Sequence, residues 1–270
     1  MMCRWTCLMV LVGCSASPMD TGEGTTGDTA PSTGTGGSTP TGVGAPTGAT
    51  TDWTDCQRAG FESPTLGLFG SELWAALTTV TQAQTCQDYG DATDFMFLTL
   101  DNVQDTVTCV YTGRSTQVTT QKPDPTDMNT EHTWPQSLGA DVIPAKCDLH
   151  HLFPTDSDAN NRRAAFPFGE VQGTVDWSEG ESTLGVDGLG ATVFEPPDGH
   201  KGNVARAMLY FSARYEFILD AAQVDLFQSW HIQDPVDDAE LVRTWAIAEE
   251  QVLPNPMVVC PELVERLDGL

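Results

Sequence analysis

The chain has 270 residues, 40% of them hydrophobic, and carries 38 Asp or Glu against 12 Lys or Arg, a formal net charge of −26. That apolar content supports a packed core and excludes a disordered acidic tail as the bulk of the chain. The charge excludes a protein that coats phosphate backbones through a broad basic field, so any contact with nucleic acid needs a small local patch or a metal ion.

In chain order, Arg4 precedes a short apolar run, Trp5 to Gly13, that is too short to span a bilayer but has the length of a signal h-region. The run ends in Leu11-Val12-Gly13-Cys14, which resembles a bacterial lipobox, where the signal is cut before the Cys and that Cys is lipidated. The expectation is a signal peptide over 1–13, a lipid on Cys14, and an exported chain held at a bacterial membrane, periplasmic or at the cell surface. Residues 14–52 follow, rich in Thr, Gly, Ser and Pro, with four acids and no base. They lack the apolar surface to offset the entropy of ordering and read as a flexible tether with a reach of roughly 35 Å. Residues 53–270 read as one domain.

Export favours disulfides, and this domain holds Cys56, Cys86, Cys109, Cys147 and Cys260, an odd number that leaves at least one unpaired within the chain. The spacing does not decide the connectivity. Ser71 to Gln84 predicts a helix with Ser71 as a possible cap, and Thr106 to Tyr111 alternates at strand period. After a Gly-rich, strand-like middle, Gly202–Leu219, Ala221–His231 and Val236–Val252 predict three helices. The fold class is α+β.

The chemistry concentrates between these regions. Glu131-His132-Thr133-Trp134-Pro135-Gln136-Ser137 is followed by Cys147-Asp148-Leu149-His150-His151-Leu152-Phe153-Pro154 and then by Asp156-Ser157-Asp158-Ala159-Asn160-Asn161-Arg162-Arg163, so three of the five His lie within twenty residues. A neutral imidazole can take a proton from water, and carboxylate or amide oxygens suit a hard cation such as Mg²⁺. Three readings compete: structurally satisfied histidines, a zinc site of His132, His150 and His151 that lacks the i, i+4 pair a helix would use, and a hydrolytic site with one base, one acid and one distal amide. The third accounts for the most residues.

Four ordered blocks, EHTWPQS, DLHHLFPTDSDANNRR, PPDGHKGNVARAMLYFSARY and NPMVVCPELV, resemble the bacterial endonuclease I family of periplasmic and secreted nucleases. The resemblance covers most of residues 70–265 and implies a ββα-metal (His-Me) finger surrounded by helices. It implies an endonuclease that hydrolyses DNA with little sequence specificity and leaves 5′-phosphate ends, with RNA as a further candidate substrate and the preference between the two left open. His132 is then the general base, Glu131 and Asn160 hold one Mg²⁺, with Mn²⁺ or Ca²⁺ as alternatives, and the protein acts as a monomer. Asp156–Arg163 should be helical, capped by Thr155 or Asp156, with Asn160 and Arg163 on one face and Arg163 on a substrate phosphate. Glu131 and His132, as strand neighbours, point to opposite faces and share a substrate only across a strand end or a bend.

Four acids lie in the tether and one base in the signal, leaving 34 acids and 11 bases in the domain. Eight of those bases (Arg114, Lys122, Lys146, Arg162, Arg163, Lys201, Arg206 and Arg214) cluster around the motif and suggest a phosphate-facing patch; Arg206 is expected to face the core. The family has Asn where His151 stands and Gly-Asp where Asn161 and Arg162 stand, which puts the support of the metal helix in question. Two other classes stay open: a surface-binding lipoprotein that keeps the fold without catalysis, and a zinc-dependent hydrolase of another substrate.

Overall fold

A computed structural model describes residues 53–268, with side chains from residue 55; the expected signal peptide, Cys14 and the tether lie outside them. Four helices open the described chain, α1 (Trp53–Ala59), α2 (Glu62–Thr65), α3 (Gly70–Thr81) and α4 (Tyr89–Phe95), and a π-turn at Met96–Leu100 extends the last of them. A small antiparallel sheet of β1 (Asn102–Val103), β2 (Thr106–Thr108) and β3 (Ser115–Gln117) follows. Next come β4 (Met128–His132), three 3₁₀ turns, β5 (Leu152–Asp156) and α5 (Ser157–Arg163), and then a meander of β6 (Val175–Glu179), β7 (Ser182–Val186) and β8 (Thr192–Glu195). Helices α6 (Asp198–Tyr215), α7 (Ala221–Gln233), α8 (Asp238–Gln251) and α9 (Pro256–Val259) and a 3₁₀ turn over Pro261–Arg266 complete the described chain. Mixed helix and sheet agree with the α+β expectation. No helix among the described residues is long and apolar enough to cross a membrane.

Helix α6 is the hub. Its Val204, Ala205, Leu209, Tyr210 and Phe211 are fully buried, and so is Trp230 of α7 beside it. An 18-residue helix buried on most of its circumference lies between other elements and cannot present a polar face to water. Arg206 is buried as expected for a core-facing residue, and its guanidinium donates to both carboxylate oxygens of Glu240, at 2.7 and 2.6 Å. The helix begins four residues before the sequence pattern suggests, at Asp198, and stops at Tyr215 because Glu216 turns left-handed at φ 58°.

Two other expectations fail locally. Ser71 does not cap α3: the chain enters that helix one residue earlier, from an extended Phe69, and Ser71 sits exposed in the first turn. The strand expected over Thr106–Tyr111 ends at Thr108, because the chain turns there and Cys109, Val110 and Tyr111 pack inward toward β5 and β8.

Two disulfides form, Cys56–Cys260 and Cys86–Cys147, and Cys109 is the free, buried cysteine among the described residues. Its sulfur accepts the Asp156 N–H at 3.1 Å, and so it helps hold the start of α5. Cys56–Cys260 ties α1 to the residue that ends α9 across 204 residues of sequence. Cross-linking so long a loop removes much entropy from the unfolded chain, about 5 kcal/mol. Replacing the pair by Ser should lower Tm by roughly 10 °C in calorimetry; a shift under 2 °C would contradict this.

Two histidines away from the β4–β5 pair are buried without a compensating acid contact. Burial lowers His200 to about 3 and His231 to about 4, with the Arg206 charge adding to both. A base whose folded pKa lies below its unfolded 6.5 contributes stability that is complete above pH 6.5 and fades as pH falls toward 4. Tm should therefore be level from pH 7 to 8 and decline between pH 6.5 and 4; a Tm that rises over that interval would contradict the neutral burial of these rings.

Candidate active site

Strands β4 and β5 pair antiparallel with Met128 opposite Asp156, Glu131 opposite Phe153 and His132 opposite Leu152. The chain then enters α5 without a break, giving two strands followed by a helix packed on β4. Asp156 occupies the N-cap position, as the sequence suggests, but its carboxylate makes no cap bond, because it is taken by Thr112 and Arg114.

On β4 the side chains alternate as the pleat requires. Glu131 turns toward Tyr111 and α5. The Tyr111 hydroxyl donates to its Oε1 at 2.9 Å, and Arg163 Nε lies 3.1 Å from the same oxygen, out of line for a hydrogen bond, so that contact is Coulombic. Burial pushes the Glu131 carboxyl up to about 7, against the pull of Arg163 and of the Tyr111 hydroxyl. Its Oε2 accepts no hydrogen bond from the described residues. Asn160, on the inner face of α5, donates through Nδ2 to Asn129 Oδ1 at 2.7 Å and to the Thr130 carbonyl at 3.1 Å, which is the peptide group entering Glu131. With both protons of that amide nitrogen committed, its Oδ1 is left as an acceptor beside the same stretch of β4.

His132 is the last residue of β4, and its ring faces the other way, toward Tyr89 and His151, with centroids 5.6 and 5.5 Å away. Its Nε2 lies 3.0 Å from the Lys146 carbonyl. A carbonyl only accepts, so Nε2 carries the proton and Nδ1 is a lone pair, which takes the Gln136 amide N–H at 3.2 Å. Burial, reinforced by the nearby His151, lowers the imidazole to about 3, and the ring is neutral.

Arg163 does not face a phosphate, contrary to the sequence expectation. It shares a face of α5 with Asn160, but that face is buried: the side chain is 1% exposed, donates to the Thr133 and Ala164 carbonyls at 2.6 and 2.9 Å, and stacks on Phe168. Its job here is to hold Glu131 and the end of β4. The supposed zinc set also separates. The Nε2 atoms of His132, His150 and His151 approach three different carbonyls, of Lys146, Leu253 and Ala145, and the described residues bring no three of their side chains to one point. One group of metal-ligand types does converge, Cys56, Cys260 and Glu262, but its two cysteines are bonded to each other.

One carboxylate oxygen and one amide oxygen without protein donors, flanking a single stretch of backbone, fit a hard divalent cation that keeps most of its waters. Tyr111, Asn129, Gln136 and the Lys146 carbonyl are the partners that sequence reasoning missed. Gln136 stands inside the block quoted above and Asn129 two residues before Glu131, on its face of the strand. Tyr111 lies twenty residues away with no local signal.

Residues 68–262 match the Endonuclease I family. The chain is 27% identical over 237 residues to an extracellular ribonuclease of Bacillus subtilis, a match spanning 79% of this chain and 78% of that protein. It is 34% identical over 111 residues to an extracellular deoxyribonuclease of Aeromonas hydrophila and 32% identical over 112 residues to Endonuclease-1 of Buchnera aphidicola; these matches span 41% of this chain and just under half of each relative. The region matched to the family contains both strands, α5 and every residue placed above around Glu131 and His132, and the chain belongs to the Endonuclease I family.

Proposed function

We propose that this chain is a Mg²⁺-dependent endonuclease that hydrolyses phosphodiester bonds of DNA and RNA with little sequence preference, on a ββα-metal core made of β4, β5 and α5. The observation that carries the reading is the fixed tautomer of His132 at the end of β4. The Lys146 carbonyl holds its Nε2 proton and leaves Nδ1 as a base restrained only by a neutral amide. Mn²⁺ or Ca²⁺ would suit the same oxygen ligands.

In this reading Glu131 and Asn160 hold the cation, and Arg163 and Tyr111 fix the Glu131 carboxylate. Bound there, a divalent cation supplies positive charge to the phosphate and the departing oxygen. Gln136 yields its place on Nδ1 to a water, and His132 takes that water's proton. The oxygen bonds to phosphorus as the P–O3′ bond breaks. The electron pair stays on O3′, which is protonated from solvent, and a 5′-phosphate remains. His132 at the strand end and Glu131 one residue before it reach the phosphate from two sides of β4.

The relatives named for extracellular ribonuclease and deoxyribonuclease activity support an exported enzyme. We place it at a bacterial membrane through a lipid on Cys14, with a 1–13 signal, a 14–52 tether and a monomeric catalytic domain over 53–270.

Plasmid DNA and RNA digestion tests this function. Both should be degraded with Mg²⁺ and protected by a chelator. Substrates that stay intact with every divalent ion would favour a non-catalytic binding protein, and activity that needs only zinc would favour the other hydrolase. The Cys86–Cys147 disulfide adds a second test, because Cys147 adjoins the Lys146 carbonyl that holds His132. Replacing that pair by Ser should cost roughly tenfold in kcat at a temperature where the protein stays folded, since small displacements of a base cost rate steeply. The Cys56–Cys260 variant should keep its kcat; equal losses in both would contradict the special place of Cys147.

A further inference from the structure

The fold dissolves the basic patch that the sequence suggests. Of the 11 described Lys and Arg residues, Arg114, Lys122, Arg162, Arg163, Lys201, Arg206 and Arg243 each pair with a carboxylate. Arg163, Lys201 and Arg206 are also buried. Four have no carboxylate partner among the described residues: Arg58, Lys146, Arg214 and Arg266. Arg58 sits over Trp245, Arg266 over Phe69, and Arg214 is spent on the Gln82 and Gln84 carbonyls. Lys146 is different. Its carbonyl accepts the His132 Nε2 proton, and its ammonium lies 5.2 Å from the centre of the Tyr89 ring, which itself lies 5.6 Å from the His132 ring.

Resting on the nuclease reading, we propose that Lys146 is the cation that binds the phosphate backbone of the substrate strand beside His132, the role first expected of Arg163. The side chain is half-buried and meets no carboxylate among the described residues. Its aromatic neighbour gives the ammonium a seat on the His132 side of β4 without neutralising it. The Cys86–Cys147 disulfide fixes both partners, since Cys86 lies three residues before Tyr89 and Cys147 follows Lys146. The Lys146 charge also helps hold His132 neutral, which places it within electrostatic reach of that ring. In a domain with 34 acids, one uncommitted ammonium next to the base offers a phosphate its favourable approach, and an ammonium serves phosphates as a point charge.

The test is salt dependence, measured with a fluorescein-labelled 20-nucleotide single strand. Its arms are kcat/KM in Mg²⁺ and anisotropy binding in EDTA, where cleavage stops, for wild type, Lys146→Met and Lys146→Arg, with Tm recorded for each. Lys146→Met should raise KM about tenfold and reduce the slope of log affinity against log salt by about 0.7, the value for one phosphate contact on a single strand. Lys146→Arg should restore most of both. A merely structural lysine would change Tm or kcat and leave the salt slope alone. An unchanged slope in Lys146→Met overturns the assignment. Should Lys146→Met fail to fold, Lys146→Gln takes its place: a slope reduced by about 0.7 supports the assignment, and the wild-type slope overturns it. If wild type binds the strand with a Lys146-dependent slope but cleaves nothing, the catalytic reading fails and the phosphate contact stands.

Discussion

His132→Ala should lower kcat on DNA and RNA by on the order of 10³ and leave the protein folded. A general base that removes a proton in the transition state is worth about 10² to 10⁴ in rate, and no other described imidazole has its free nitrogen at this strand end. His151, the nearest ring, sends Nε2 to the Ala145 carbonyl and is fully enclosed. The fold should survive because the β4–β5 register is made by backbone groups that Ala retains. The lost contacts are one donor to the Lys146 carbonyl and one acceptor for Gln136, together about 1 to 3 kcal/mol. His132→Gln, which can still donate to that carbonyl, should recover stability but not rate. A His132→Ala protein with more than a tenth of wild-type kcat would remove His132 from the role of base.

Glu131→Gln should damage both function and stability. Function suffers because the anionic ligand of the cation is gone, and the Mg²⁺ needed for half-maximal rate should rise by at least tenfold. Stability suffers because Arg163 remains: its guanidinium is 1% exposed and Glu131 is the acid it meets. Removing one partner of a buried pair leaves an uncompensated charge and costs about 3 to 5 kcal/mol, a fall in Tm of roughly 10 °C for a domain of this size. The double variant Glu131→Gln with Arg163→Met should regain most of that Tm, since an apolar replacement of the pair removes the stranded charge. It should regain none of the activity. If the double variant restores activity, the pair is structural and the cation is held elsewhere. If Glu131→Gln leaves Tm unchanged, Arg163 does not depend on this acid.

How far the sequence is legible depends on the range of the interaction. Helices α6, α7 and α8 follow from helix-forming runs separated by turn signals, both of which are decided within a few residues. Spacing also puts Asn160 and Arg163 on one face of α5, which is where they lie. It does not say whether that face meets water or a strand, and here it meets β4, so a residue expected on a phosphate became the partner of a carboxylate. The basic cluster fails as a patch for the same reason. Arg114 finds Asp156 and Arg206 finds Glu240 across 42 and 34 residues, pairings that no local pattern encodes. Ser71 shows the limit at short range, since a good capping residue is bypassed when an extended Phe69 followed by Gly70 lets the helix start earlier. Tyr111 reaches Glu131 only because β2 stops short and the chain turns inward.

The role of the β4 end is tested most directly by titrating Mg²⁺ into cleavage of one 5′-labelled oligonucleotide by wild type, His132→Ala, Glu131→Gln and Asn160→Ala. His132→Ala should lose rate at every concentration while keeping the wild-type Mg²⁺ midpoint. Glu131→Gln and Asn160→Ala should shift that midpoint upward and recover rate as Mg²⁺ is raised. Midpoints that are identical in all four proteins, or a His132→Ala enzyme that cleaves at the wild-type rate, would contradict a base and a cation site sharing this strand.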